Sequence, residues 1–131
     1  MGSPREVVAN WKDLDKEVVR EGIQRSAFGT RNVILVMNEC TPGMEVGPHD
    51  HEFDQIALII SGRAIYTIGD TAHEVGPGSM LLIPAGEPHF INPIGDETVM
   101  NLDVFAPTRR DFNHLLQWMP AEAVNEAPVA T

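Results

Sequence analysis

The chain of 131 residues is poor in basic residues and has almost no cysteine. Nine lysines and arginines stand against 19 aspartates and glutamates, so the formal net charge at pH 7 is −10. Nucleic acids and anionic membrane surfaces are bound through basic patches, and neither is expected as a partner. Cys40 is the single cysteine, which excludes an internal disulfide and a cysteine-rich zinc module.

Long apolar runs are also lacking. The run from Ile56 to Ile60 is far shorter than the roughly 20 apolar residues that a membrane-spanning helix needs. The first residues show no basic stretch followed by an apolar one, as a signal peptide would. Together with the lone cysteine, these features predict a soluble, cytoplasmic protein, and the length suits one domain.

Short apolar runs separated by glycine and proline predict an all-β fold. Gly69 and Asp70 form a turn signal between two such runs, which predicts a hairpin. Many short strands with turns of this kind are typical of a sandwich or barrel rather than of an α/β protein. The predicted strand regions are 17–28, broken at Gly22, then 31–40, 56–60, 64–68, 79–83, 89–91 and 98–105.

The C-terminal part is the region that predicts a helix. Apolar residues recur there at intervals of three and four, which would place them on one helix face: Phe112, Leu115, Leu116 and Met119. Pro120 would end this helix. We therefore expect an all-β domain followed by a short helix.

Three of the five histidines have a spacing that suggests a metal site. His49 and His51 are two residues apart, so on a strand both side chains would point to the same face. Gln55 follows four residues later, and His89 comes directly after the turn-forming stretch 84–88. Two imidazoles on one face and a third from a neighbouring strand suit a divalent first-row metal ion. The alternative is that each histidine is merely exposed or hydrogen-bonded.

The residues around these histidines resemble the two sequence motifs of the cupin superfamily. The first motif, G-x5-H-x-H-x3-E-x6-G, is matched by Gly43, His49, His51 and Gly62. This chain departs from the motif at one position, where Gln55 replaces the glutamate.

The second cupin motif, G-x5-P-x-G-x2-H-x3-N, is matched by Gly78, Pro84, Gly86 and His89, whereas Pro93 replaces the final asparagine. The resemblance implies a double-stranded β-helix (jelly-roll) barrel over residues 30–106. An N-terminal segment (1–29) would precede the barrel, and a C-terminal helix and tail (107–131) would follow it.

The resemblance also implies one divalent transition metal ion, whose identity stays open among nickel, manganese, iron, zinc and copper. Its ligands would be His49, His51, Gln55 and His89. Because glutamine is neutral where glutamate is usual, the ion would keep its full charge and act as a stronger Lewis acid. This favours lyase or isomerase chemistry over dioxygen activation. In the alternative, Gln55 hydrogen-bonds a water molecule beside a three-histidine site.

The stretch from Asp103 to Arg109 resembles the end of the barrel in small cupins that linearise unsaturated uronates during pectin and alginate breakdown. In those enzymes an aspartate, a phenylalanine and an arginine at this spacing line the pocket. The resemblance implies that Asp103 is catalytic and transfers a proton, while Phe105 and Arg109 bind the substrate. Tyr66 is a further candidate for the pocket wall. A simple ion pair between Asp103 and Arg109 is the alternative.

Three classes of function remain open at this point. The first is a metal-dependent lyase or isomerase that acts on a small, anionic, sugar-acid-like substrate. The second is a non-heme iron dioxygenase of a small organic molecule, and the third is a non-catalytic ligand- or metal-binding module. A homodimer is expected, because small cupins generally pair through sheet edges and the strand in residues 17–28 offers such an edge. Cys40 is expected to be buried and inert, and His73 and His114 to face solvent.

Overall fold

The computed structural model describes residues 6–116, which form nine β-strands and two short 3-10 helices. The 3-10 helix Trp11–Asp13 precedes the strands, and the 3-10 helix Arg110–Leu115 follows them. The strands are β1 (Glu17–Arg20), β2 (Ile23–Gly29), β3 (Ile34–Cys40), β4 (Gln55–Ser61), β5 (Arg63–Ile68), β6 (Thr71–Val75), β7 (Met80–Ile83), β8 (His89–Ile94) and β9 (Val99–Phe105).

These strands form two antiparallel sheets. The larger sheet has six strands in the order β1-β2-β3-β9-β4-β7, and the smaller one has three in the order β6-β5-β8. The hairpin predicted at Gly69 and Asp70 joins β5 to β6. The predicted all-β jelly-roll architecture is confirmed.

The passage of the chain from the larger sheet to the smaller one depends on Gly62, between β4 and β5. Its φ angle is +82°, in the left-handed region. A Cβ atom at this position would lie 2.8 Å from backbone atoms of Thr98 and Val99. Because only glycine combines this conformation with so close an approach, the last glycine of the first motif has a structural role.

Side chains alternate between buried and exposed along the strands, and the buried ones form the interior. In β4, Gln55, Ala57 and Ile59 are buried, whereas Ile56 and Ile60 are exposed, as the two-residue period of a strand requires. Most buried apolar side chains of both sheets belong to one cluster. Gln55 is therefore a polar side chain on the inner face of a core strand.

A second cluster closes one end of the larger sheet. Phe105 and Leu116 are buried in it, and Phe112 and Leu115 pack against it. The helix predicted for the C-terminal part is present here as the 3-10 helix Arg110–Leu115. Two residues of that prediction, Met119 and Pro120, lie outside the described residues.

None of the helices in residues 6–116 is long and apolar enough to cross a membrane. The cytoplasmic location stays a prediction.

Candidate metal centre

Backbone hydrogen bonds bring the three histidines of the motifs together. His49, in the loop between β3 and β4, forms a β-bridge with His89 at the start of β8. The N–H of His49 donates to the carbonyl of His89 at 3.1 Å, and the N–H of His89 donates to the carbonyl of His49 at 2.9 Å. The carbonyl of His51 accepts from the N–H of Gly86 at 2.8 Å. These hydrogen bonds thus join the loop that carries His49 and His51 to residues 86–89, which include the third histidine.

A backbone carbonyl two residues away orients each imidazole. The Nδ1 atoms lie 2.9–3.0 Å from carbonyl oxygens: His49 on Gly47, His51 on Phe53 and His89 on Glu87. Because a carbonyl oxygen only accepts hydrogen bonds, each Nδ1 carries a proton, and Nε2 is the atom left to bind a metal ion. The three rings offer ligand atoms that all lie within 4.8 Å of one another.

The Nε2 atom of His89 is the clearest sign that this cluster holds an ion. His89 is 1% exposed, and within the described part of the chain its buried Nε2 has no hydrogen-bond partner. Burial lowers the pKa of His89, and the neighbouring His49 and His51 act in the same direction. The ring is therefore neutral near pH 7, which is the form that binds metal ions. A buried polar atom without a partner is costly, and a metal ion at Nε2 would remove that cost.

Gln55 provides a fourth donor beside the three rings. Its Oε1 lies 2.9 Å from Nε2 of His51, so two acceptor atoms face each other and need a proton or a cation between them. A spacing of roughly 3 Å is also that of adjacent ligands around one first-row ion with bonds of about 2.1 Å. The residues present therefore fit a divalent metal ion. Direct binding of the ion by Gln55 stays a prediction, with contact through a water molecule as the alternative.

Asp103 holds Gln55 in this orientation. On the inner face of β9, it accepts hydrogen bonds from Nε2 of Gln55 at 2.7 Å, Nδ2 of Asn101 at 2.8 Å and Nδ2 of Asn38 at 2.9 Å. With its amide nitrogen on Asp103, Gln55 turns its oxygen towards His51. Burial raises the pKa of Asp103 to about 6, although the three amides lower it. A carboxyl group in this range can both take up and release a proton near neutral pH.

Arg109 follows β9 and is held by a carboxylate and by aromatic rings. Its Nε lies 3.1 Å from Oδ1 of Asp111, and its Nη2 lies 2.6 Å from Oδ2 of the same residue. Its guanidinium carbon lies 4.8 Å from the ring centre of Phe105 and 4.2 Å from that of Phe112. The alternative of an ion pair with Asp103 is wrong, because the carboxylate of Asp103 is bound by amides instead.

A cavity of about 440 Å³ opens beside these groups, a volume typical of small-molecule sites. The ring of Tyr66 stacks on His89 at 6.5 Å between centroids, and burial raises the pKa of its phenol, which is therefore neutral. Six predicted site residues line the cavity: His49, Gln55, Tyr66, Asp103, Phe105 and Arg109.

Three residues predicted to have no part in the site, one cysteine and two histidines, have the predicted burial or exposure. Cys40 is 2% exposed, and burial raises the pKa of its thiol to about 12, so the reactive thiolate is scarce at neutral pH. His73 is exposed on β6. His114 is also exposed, and its Nε2 lies 2.8 Å from Oε2 of Glu17.

Asn38 and Asn101 also hydrogen-bond Asp103, and no motif in the sequence predicted this role for them. Asn101 lies two residues before Asp103 on one strand, so the strand period could have placed both on the inner face. Asn38 lies opposite Asn101 in the pairing of β3 with β9. That register is a tertiary property, and no spacing along the chain indicates it.

Comparison with known proteins agrees with this architecture. Residues 33–117 match the family described as the AraC-like ligand binding domain. An uncharacterized protein of Streptomyces coelicolor, SCO3923, is 30% identical over 96 residues, which cover 72% of this chain and 90% of that protein. The solved structure of KdgF from Halomonas sp. is 27% identical with a TM-score of 0.69, and the match covers 77% of this chain and 94% of KdgF. An RmlC-like cupin from Shewanella frigidimarina is 20% identical with a TM-score of 0.72, covering 83% and 97%.

Proposed function

Since the chain belongs to the cupin superfamily, within the family of AraC-like ligand binding domains, we propose that it is a metal-dependent enzyme of the lyase or isomerase type. Its substrate is a small carboxylate of the sugar-acid kind, and the reaction is redox-neutral. The contact between Gln55 and Asp103 carries the proposal. A donor aimed at the ion site is hydrogen-bonded, at 2.7 Å, to a carboxyl group whose pKa is about 6.

Four neutral groups would hold the ion: Nε2 of His49, Nε2 of His51, Oε1 of Gln55 and Nε2 of His89. Because no carboxylate is among them, the full charge of a divalent ion is retained at the site. When bound, such an ion supplies Lewis-acid polarisation of a substrate oxygen. A site without a carboxylate ligand stabilises a higher oxidation state less well, which favours this chemistry over that of a dioxygenase.

Asp103 transfers the proton in the proposed reaction. In an unsaturated uronate the ring is a closed hemiacetal, and its opening passes the proton of the anomeric hydroxyl to the carboxylate of Asp103. The bond from C1 to the ring oxygen breaks, which leaves an aldehyde at C1 and an enolate at C4 and C5. Asp103 then returns the proton to C4, and a ketone forms at C5. No oxidant or reductant is consumed, and the position of Asp103 beside Gln55 lets one carboxyl group serve both proton transfers.

Three further residues shape the space around the substrate in this proposal. The ring of Phe105 meets that of His51 edge to face, with 5.6 Å between centroids, and so forms the wall beside the ion site. Tyr66 stacks on His89, and both residues belong to the smaller sheet. Arg109, whose charge is paired with Asp111, lines the substrate pocket with its guanidinium packed on the rings of Phe105 and Phe112.

The proposal is tested with untagged protein, so that no tag histidines bind metal. Elemental analysis is expected to find about one divalent ion per chain, and the metal-loaded protein is expected to open the ring of an unsaturated uronate without uptake of oxygen. A chelated sample is the matched control and should be inactive until metal is returned. Oxygen uptake that follows substrate loss would contradict the proposal and favour the dioxygenase.

A non-catalytic ligand-binding module is the second candidate. The observation in its favour is the match to a family described as a ligand binding domain rather than as an enzyme. In that case the metal-loaded protein would bind the uronate in a calorimeter and leave it chemically unchanged over hours.

We also propose that the protein forms a homodimer. Ile56, Met80 and Leu82 lie side by side on the outer face of β4 and β7 and are 46%, 78% and 67% exposed. In a chain of net charge −10, an uncharged apolar face is where a second copy can approach without charge repulsion. Leu82→Glu is expected to give a monomer in light scattering, whereas Ala72→Glu on the exposed strand β6 leaves the dimer intact. Pairing through the edge strand β1 is the alternative, and a monomeric wild type would contradict both.

A further inference from the structure

Three arginines line the cavity, and two of them already have carboxylate partners. Arg25 donates through Nε to Oε1 of Glu17 at 2.7 Å. Arg109 is paired with Asp111 through two nitrogens. The positive charge of these two side chains is therefore largely satisfied within the protein. Arg20 is different.

Arg20 is the last residue of β1 and is partly buried. Its Nε donates to the backbone carbonyl of Glu45 at 3.2 Å, which fixes the direction of the side chain. Between residues 6 and 116, no carboxylate forms an ion pair with its guanidinium. An arginine that lines a cavity without a carboxylate partner is a binding group for an anion.

The guanidinium of Arg20 also lies against the loop that carries His49. A Cβ atom at Gly47 would be 2.8 Å from Nη2 of Arg20, so the group rests directly on this glycine. The carbonyl of the same glycine orients the ring of His49 through Nδ1 at 3.0 Å. Arg20 and His49 are therefore both held at Gly47, and both line the cavity, so one small molecule in the cavity can reach both.

We propose that Arg20 binds the carboxylate of the substrate, so that a small organic acid lies across the cavity with its reacting end at the metal centre and Asp103. The planar fork of a guanidinium matches the two oxygens of a carboxylate. This inference deepens the proposed function and rests on it. In this proposal the barrel residues bind the metal ion and transfer the proton, whereas the N-terminal strand β1 binds the negative charge of the substrate.

Calorimetry with the zinc-loaded full-length protein tests this assignment, with an unsaturated uronate and its uncharged methyl ester as probes. Arg20→Gln is expected to weaken binding of the acid by about ten- to hundredfold, the value of a charge-assisted hydrogen bond, and to leave binding of the ester unchanged. The matched control is Arg63→Gln on the smaller sheet. Arg63 is an exposed arginine paired with Glu74, and its loss should change neither affinity.

A second variant moves the guanidinium without removing it. Gly47 does not have a positive φ, so Gly47→Ala is compatible with the backbone, and its new Cβ displaces the end of Arg20. It is expected to weaken binding of the acid selectively, as Arg20→Gln does. Gly76→Ala is the control, because its Cβ would meet only ordinary contacts at 3.7 Å and beyond.

The possible outcomes separate the two proposals. Equal affinities of the wild type for acid and ester, or equal loss of both in Arg20→Gln, overturn the role of Arg20. If Arg20→Gln loses affinity for the acid alone, and the wild type binds the acid without opening its ring, the role of Arg20 is supported and the enzymatic function is overturned. A wild type that binds neither probe overturns both.

Discussion

The position of Asp103 allows its structural role to be separated from its chemical role. Asp103→Asn keeps an acceptor for Gln55 and Asn101, but places its new amide nitrogen against Nδ2 of Asn38, where the present distance is 2.9 Å. Two donors then face each other in a partly buried site, which costs about 1–3 kcal/mol. Part of this cost is offset, because burial disfavours the charge that the substitution removes. We expect a net loss of stability below about 2 kcal/mol.

The double variant Asn38→Asp with Asp103→Asn reverses the polarity of that hydrogen bond. In it, the new carboxylate on β3 accepts from the new amide on β9, while the amide oxygen at position 103 still accepts from Gln55. Asn38→Asp alone puts two carboxylates in contact and should be the least stable of the set. Urea denaturation of the four proteins is expected to give a favourable coupling energy of about 2 kcal/mol between the two positions. The metal content of the double variant should equal that of the wild type.

The rate of ring opening in these four proteins should not follow their free energies of unfolding. With its carboxylate moved to the neighbouring strand, the double variant is expected to open the uronate ring about 10²- to 10⁴-fold more slowly than the wild type, as the single variant does. Recovery of turnover in the double variant would show that Asp103 acts only by holding Gln55. A coupling energy near zero would refute the hydrogen-bond arrangement itself.

Three further predictions concern the metal centre, the thiol and the turn glycines. His89→Ala should lose the bound metal in elemental analysis, whereas His73→Ala, at an exposed position, should retain it. Because burial raises its pKa to about 12, Cys40 should react with a disulfide reagent at pH 8 far more slowly in the native protein than in urea, and equal rates would contradict its burial. Gly62→Ala should destabilise the fold more than Gly78→Ala in thermal melts, since both have positive φ but only Gly62 also meets backbone atoms at 2.8 Å.

Most of the strands could be predicted because their inner faces are apolar and their ends carry glycine or proline. The exception is β6, Thr71–Val75, in which the first four residues are exposed and only Val75 is buried. A strand at the edge of a sheet, with few buried side chains, has no two-residue apolar pattern to detect. Its existence follows from pairing with β5, which the turn at Gly69 and Asp70 indicated only indirectly.

The candidate site was predictable where its residues lie in a motif, and not where they meet only through folding. The spacing of His49, His51 and His89 suggested a shared ion, and the structure brings the three rings together. By contrast, Asn38 and Arg20 come from strands that precede the motif and reach the cavity through the sheet register. That register cannot be read from the spacing of residues along a single sequence, because it depends on which strands become neighbours.

The reciprocal backbone hydrogen bonds between His49 and His89 have a consequence for how this scaffold tolerates change. They join the two ligand-bearing residues through main-chain atoms alone. The distance between the two main chains therefore does not depend on which ion lies between the rings. We expect a frame of this kind to exchange one ion for another with little rearrangement of the main chain. Descendants of such a protein can therefore acquire a new chemistry by exchanging the ion or a single wall residue, without rebuilding the pocket.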